Sequence, residues 1–195
     1  MRARQVCETV TTDLTFRALW PFLAIAFGIV YAVLTVLLGF PDEVTRLFGP
    51  VSAHHPLFIL AVYAPAIAAF IVVGSHAGVD GLKKLLARLL LWRAPLDWWL
   101  FLLLAVPLVH FLAAMWKGTL PLTWVRLDSG ASLGEIAFML ALGPMEELGW
   151  RGVALPLLQR RLAPLWAGLV LGFVWGLWHL PAFFVGGTPQ SSMDL

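Results

Sequence analysis

Residues 143–152 read Gly-Pro-Met-Glu-Glu-Leu-Gly-Trp-Arg-Gly, and this run joins two adjacent carboxylates and a guanidinium to a strongly apolar stretch. An ionised side chain buried at membrane depth costs several kcal/mol unless it is paired or hydrated. Glu146, Glu147 and Arg151 therefore need partners or a water-filled pocket. Charged groups in such places usually mark a functional site.

The composition of the chain is that of a membrane protein. Of its 195 residues, 61% are hydrophobic and 12% are charged, whereas about a quarter are charged in an average soluble domain. Five segments are apolar and long enough to cross a hydrocarbon core of about 30 Å. They are 18–40, 56–74, 96–116, 133–148 and 165–185. The sequence predicts an all-α, polytopic bundle of about five transmembrane helices.

Lysine and arginine are distributed unevenly between the two sides of these predicted spans. Ten lie in the N-terminal tail and in the second and fourth connections, against three on the other side. The ten are Arg2, Arg4, Arg17, Lys83, Lys84, Arg88, Arg93, Arg151, Arg160 and Arg161, and the three are Arg46, Lys117 and Arg126. The positive-inside rule then predicts a multi-pass plasma membrane protein with a cytoplasmic N-terminus. The net charge of +2 gives no reason to expect a nucleic-acid partner.

The second connection is amphipathic. Leucines recur at helical spacing between 82 and 90, and the basic residues take the other positions. This pattern is typical of a helix that lies on the cytoplasmic surface of the lipid bilayer.

Helical spacing separates the two glutamates of the charged run. At about 100° per residue, Glu147 and Arg151 lie within about 40° of each other, whereas Glu146 and Arg151 are about 140° apart. We therefore expect Arg151 to pair with Glu147 and leave Glu146 free to face another helix. A carboxyl group in an apolar pocket is suited to general acid or base catalysis.

The fifth predicted span carries a stripe of three glycines, Gly168, Gly172 and Gly176, which predicts close packing of another helix. Trp175 and His179 fall on or beside the same face. If the fourth and fifth spans enter straight from opposite faces, Glu146 and His179 are separated by about 12 Å in depth. By spacing alone, three interpretations stay open: a catalytic site, a structural network, and an ion or proton pathway.

The motif residues resemble the first two motifs of a known family. Glu146-Glu147-x-x-x-Arg151, followed by an aromatic-x-x-x-His from Trp175 to His179, is similar to the CPBP family of CAAX prenyl endopeptidases and bacteriocin-processing or self-immunity (Abi) membrane proteins. The similarity extends over residues 143–187. It divides the chain into N-terminal transmembrane helices with the amphipathic connection, 1–131, and a partial catalytic core, 132–195.

The resemblance implies an intramembrane endopeptidase. Glu146 would activate a water, His179 would assist that water or the leaving group, and Glu147, Arg151 and Trp175 would support the site. A metal-free mechanism is favoured, with zinc as the alternative. The implied substrate is a protein or peptide that is prenylated or embedded in the membrane. The resemblance indicates no oligomeric state.

The chain departs from the family in one respect: no His-x-x-x-Asn motif follows His179. In the family this motif is thought to polarise the substrate carbonyl, as an oxyanion hole does. We therefore expect either a fragment of a longer protein or a diverged, inactive member. A non-catalytic immunity or scaffold protein of the same fold, and a small proton or ion transporter, remain as alternatives.

Overall fold

The computed structural model describes residues 14–90, 94–118, 133–188 and 191, and all secondary structure in these ranges is helical. The eight α-helices are α1 Leu19–Gly39, α2 Pro41–Phe48, α3 Pro56–Ala87, α4 Leu96–Leu100, α5 Val106–Trp116, α6 Leu133–Gly149, α7 Leu155–Gln159 and α8 Pro164–His179. One π-helical turn, Phe101–Ala105, joins α4 to α5, and another, Trp150–Ala154, joins α6 to α7. The predicted all-α fold class is confirmed.

Four helical segments among the described residues are long and apolar enough to cross a membrane. They are Phe16–Gly39, Pro56–Leu90, Leu96–Trp116 and Pro164–Phe184. The chain is therefore a polytopic membrane protein, as predicted. The predicted span 133–148 does form a helix, α6, but at 17 residues it is not one of these four.

The amphipathic connection forms a helix, as predicted. It is the last part of α3, up to Ala87, and a kink at Gly78 separates it from the first part. Gly78 has φ 58° and ψ −156°, a conformation that only glycine adopts at low cost. Beyond this point Leu85 is buried, whereas Lys83 and Lys84 are exposed. The segment after Gly78 is thus amphipathic, as predicted.

Several residues used for the orientation prediction, namely Arg2, Arg4, Arg93 and Arg126, lie outside the described residues. The cytoplasmic N-terminus therefore stays a prediction. So does the division at residue 131, because the boundary itself lies outside the described ranges.

The described residues fall into two compact units. One comprises residues up to 90 together with those from 138 onwards, and the other lies within 91–137. In the second unit, α4, the π-turn Phe101–Ala105 and α5 form one continuous helical stretch. The first unit holds the buried core and the motif residues.

Three aromatic side chains form the centre of the first unit. The ring of Trp150 packs edge-on against Phe22 of α1 at 5.5 Å between centroids, and against Trp178 of α8 at 5.7 Å. The indole Nε1 of Trp178 donates a 3.2 Å hydrogen bond to the carbonyl of Ala26. Because aromatic pairs prefer such edge-to-face geometry, these contacts fix the end of α8 against the turn that follows α6.

Candidate active site

Glu146 and Trp175 lie at similar distances along their two helices, because the helix that carries Glu146 is longer than predicted. Helix α6 does not stop near Leu148 but continues through the π-turn Trp150–Ala154 and α7 to Gln159. Counted from the turn that follows Gln159, Glu146 lies about 20 Å along one helix and Trp175 about 17 Å along the other. By the same count His179 lies about 22 Å along α8, so straight helices would place it within about 3 Å of the depth of Glu146. The gap of about 12 Å applies only to straight helices that start at Leu133 and Leu165 from opposite faces. Arg151 also lies within this helical stretch, and not in the fourth connection.

The carboxylate of Glu146 is held by a residue of α8. The indole Nε1 of Trp175 donates a 2.7 Å hydrogen bond to Oε1 of Glu146. Glu146 is half-buried and Trp175 is 43% exposed. A hydrogen bond to an ionised acceptor is shorter and stronger than a neutral one. The expectation that Glu146 faces a neighbouring helix agrees with this contact.

His179 is oriented by the same tryptophan. Its Nδ1 lies 3.1 Å from the backbone carbonyl of Trp175. Because a carbonyl oxygen only accepts, Nδ1 carries a proton in this contact, and a neutral imidazole held in this way has its lone pair on Nε2. The imidazole also packs edge-on against the rings of Trp175, at 4.2 Å, and Trp178, at 4.7 Å. Glu146 and His179 thus share Trp175 as a common neighbour.

Glu147 and Arg151 form an ion pair four residues apart, as the helical spacing predicts. Both groups are partly exposed, at 43% for Glu147 and 66% for Arg151. The pair lines an open cavity of about 420 Å³. The other lining residues are Arg88, Leu89, Pro144, Leu148 and Gly152. The supporting role of the pair in catalysis stays a prediction.

Gly149 and Gly152 allow α6 and the turn after it to pack closely against α3, a role that the sequence did not indicate. A Cβ added at Gly149 would lie 2.4 Å from the carbonyl oxygen of Pro65 in α3, and one at Gly152 would lie 3.2 Å from Leu85. In addition, a guanidinium nitrogen of Arg88 donates to the carbonyl of Gly152. These contacts fix the helix that carries the charged run against α3.

The glycine stripe of α8 has no neighbour among the described residues. A Cβ added at Gly168, Gly172 or Gly176 would meet nothing within 4 Å. Helix α8 packs instead through Ala167 and Trp178, which are buried. The predicted helix contact on the stripe is thus not made within the described ranges, because the large side chains of the other face enter the core.

A second, smaller cavity of about 70 Å³ lies beside His179. Apolar side chains of α1 and α3 form one wall, and residues following α8 form the other. These lining residues are Val30, Val33, Leu34, Leu37, Phe58, Ala61, Val62, Trp178, Pro181, Ala182, Val185 and Thr188. Sequence reasoning missed this cavity because its walls come from three separate segments.

Metal ligands do not converge in the described part of the chain. In ranges 14–90, 94–118 and 133–188, no three His, Cys, Asp or Glu side chains form a group that could hold an ion. One oxygen of Glu146 accepts from an indole N–H, and Glu147 is paired with Arg151. The described residues thus do not fit zinc, and metal independence stays a prediction.

The part of the chain that carries the motif residues is similar to known proteins. Residues 128–193 match the family model of Rce1-like type II CAAX prenyl endopeptidases. A CAAX prenyl protease 2 from Methanococcus maripaludis is 43% identical over 56 residues, which are 28% of this chain and 21% of that protein. The chain thus matches about a fifth of the length of this curated relative. No solved structure matches the chain significantly. Both comparisons support the CPBP family, and the family match places it on residues 128–193, the segment that carries Glu146 and His179.

Proposed function

We propose that this chain carries part of the active site of a membrane endopeptidase of the CAAX prenyl protease type, with Glu146 as general base. The observation that supports the proposal best is the Trp175–Glu146 hydrogen bond, which joins the first motif to the second. It brings a carboxylate and an imidazole to one tryptophan at the end of α8. A base and a proton relay near each other are what hydrolysis without a covalent intermediate requires.

The proposed reaction uses a water as nucleophile. Oε2 of Glu146 takes a proton from the water while the water oxygen bonds to the peptide carbonyl carbon, and the carbonyl electrons move to its oxygen. When this tetrahedral adduct collapses, the C–N bond breaks and the proton on Glu146 passes to the leaving nitrogen. Nε2 of His179 accepts a hydrogen bond from the attacking water or relays the proton. The products are a carboxylic acid and an amine.

The Glu147–Arg151 pair keeps the net charge beside Glu146 small. Because Arg151 neutralises Glu147, Glu146 is not placed next to an unpaired like charge. In this proposal the pair holds the site and takes no part in bond making.

The proposed substrate is a prenylated or membrane-embedded peptide segment, cleaved without a metal. The proposed location is the plasma membrane, with the N-terminus and the basic end of α3 in the cytoplasm. The exposed Lys83 and Lys84 support this orientation, because basic residues favour the cytoplasmic surface.

The test is peptide cleavage by the chain in liposomes, with Glu146→Gln against Glu43→Gln. Glu43 is an exposed carboxylate of α2 outside the site, so it is a matched control. The probes are a quenched fluorescent peptide with a farnesylated cysteine near its C-terminus and the same peptide without the lipid. We expect cleavage by wild type and Glu43→Gln, and a rate at least about 100-fold lower for Glu146→Gln.

Each outcome decides part of the proposal. Equal cleavage by Glu146→Gln would show that this glutamate is not the base. Loss of cleavage in a chelator, restored by zinc, would contradict metal independence. Cleavage of neither probe by wild type would contradict a peptidase acting through this chain alone and would favour the non-catalytic immunity or scaffold alternative.

A further inference from the structure

We propose that Trp175 is a positioning residue that determines which oxygen of Glu146 reacts and which nitrogen of His179 is free. This inference rests on the proposed function. It assigns to one residue two tasks on two different catalytic groups, one through its side chain and one through its backbone. The contacts that carry it are the indole hydrogen bond to Oε1 of Glu146 and the carbonyl contact to Nδ1 of His179.

The indole hydrogen bond makes the two oxygens of Glu146 different. An indole N–H only donates, so Trp175 can hold the carboxylate of Glu146 but cannot itself accept a proton from the attacking water. Trp175 therefore takes one of the two lone-pair positions of Oε1, whereas Oε2 keeps both for the water, and we assign the proton exchange to Oε2.

The backbone of Trp175 acts on the imidazole. Its carbonyl accepts from Nδ1 of His179, so the lone pair lies on Nε2. The indole ring packs against the imidazole at 4.2 Å with an interplanar angle of 62°, which limits ring rotation. The two catalytic side chains are thus oriented by the same residue, one through its side chain and one through its backbone.

Burial alone does not explain a tryptophan at this position. Trp178, one turn later, is 4% exposed and donates to a backbone carbonyl of α1, as a structural tryptophan does. Trp175 is 43% exposed and donates to a carboxylate. A phenylalanine at 175 would keep the ring contact with His179 but would lose the N–H. The indole nitrogen is therefore the atom that matters.

The kinetic test compares Trp175→Phe with Trp166→Phe. Trp166 lies on the same helix, is 60% exposed and is outside the site, so the second variant controls for the substitution itself. We expect Trp175→Phe to lower kcat about 10- to 100-fold, the value of one hydrogen bond to a charged group, with KM changed less than about twofold. Trp166→Phe should leave both kcat and KM unchanged.

A second measurement does not depend on activity. In the chain labelled with ¹⁵N-tryptophan and held in nanodiscs, the indole resonance of Trp175 is assigned by its loss in Trp175→Phe. We expect this resonance to shift in Glu146→Gln, because the indole N–H then faces a neutral amide in place of the carboxyl group. An indole signal that is unaffected by Glu146→Gln would overturn the inference.

The two proposals fail in different ways. Wild-type kcat in Trp175→Phe, with Glu146→Gln inactive, would overturn the role of Trp175 and leave the peptidase proposal standing. Cleavage by Glu146→Gln would overturn the base assignment, and the indole resonance would still decide whether Trp175 binds that carboxylate.

Discussion

Gly149 lies directly against the backbone of Pro65, so that a Cβ at position 149 would come within 2.4 Å of the Pro65 carbonyl oxygen. The nearest atoms are backbone atoms and the proline ring, which cannot move aside as a flexible side chain does. This contact sets the distance between α3 and α6, three residues from Glu146. Gly149 is therefore required for the close packing of these two helices.

We expect Gly149→Ala to destabilise the protein by about 1–3 kcal/mol, because overpacking forces the two backbones apart. The measurement is the thermal unfolding midpoint in detergent. Gly168→Ala is the control, since nothing lies within 4 Å of its added Cβ. Equal midpoints for wild type and Gly149→Ala would contradict the close approach.

The Glu147–Arg151 pair predicts a measurable coupling. Glu147→Arg and Arg151→Glu alone should each lower stability, and the swapped double variant should recover part of the loss. Because both groups are partly exposed, a double-mutant cycle should give a coupling of about 0.3–1 kcal/mol. Strictly additive single effects would show that the ion pair does not contribute.

Trp178→Phe should destabilise the core by about 1–3 kcal/mol. The variant loses the hydrogen bond to Ala26 and part of the packing against Trp150. The same change at the exposed Trp166 should cost less than about 0.5 kcal/mol. Chemical denaturation in mixed micelles measures both, and similar losses would argue against Trp178 as a core residue.

Removal of the imidazole tests the second motif. His179→Gln should lower kcat for peptide cleavage about 100- to 10,000-fold, which is the usual range for a proton-transfer group. His110→Gln is a suitable control, because the His110 ring bonds the carbonyl of Val106 in its own helix, outside the site. A His179→Gln variant as active as His110→Gln would remove the imidazole from the mechanism.

The sequence determined the features that depend on local spacing. Apolar length predicts the helices, and the four-residue spacing predicts the Glu147–Arg151 pair, because both follow from the rise and turn of one helix. The family motifs also identify Glu146 and His179 as candidate catalytic residues, since a motif is a pattern of residue types along the chain. None of these statements needs a contact between distant parts of the chain.

The tertiary structure decided how these local pieces meet. The continuation of α6 through a π-turn to Gln159 brings Glu146 level with Trp175, 29 positions later. Packing also turned the glycine stripe of α8 away from the core, since burying Trp178 and Ala167 places the opposite face outside. Helical periodicity states which residues share a face, whereas the apolar side chains of all the helices together decide which face is buried.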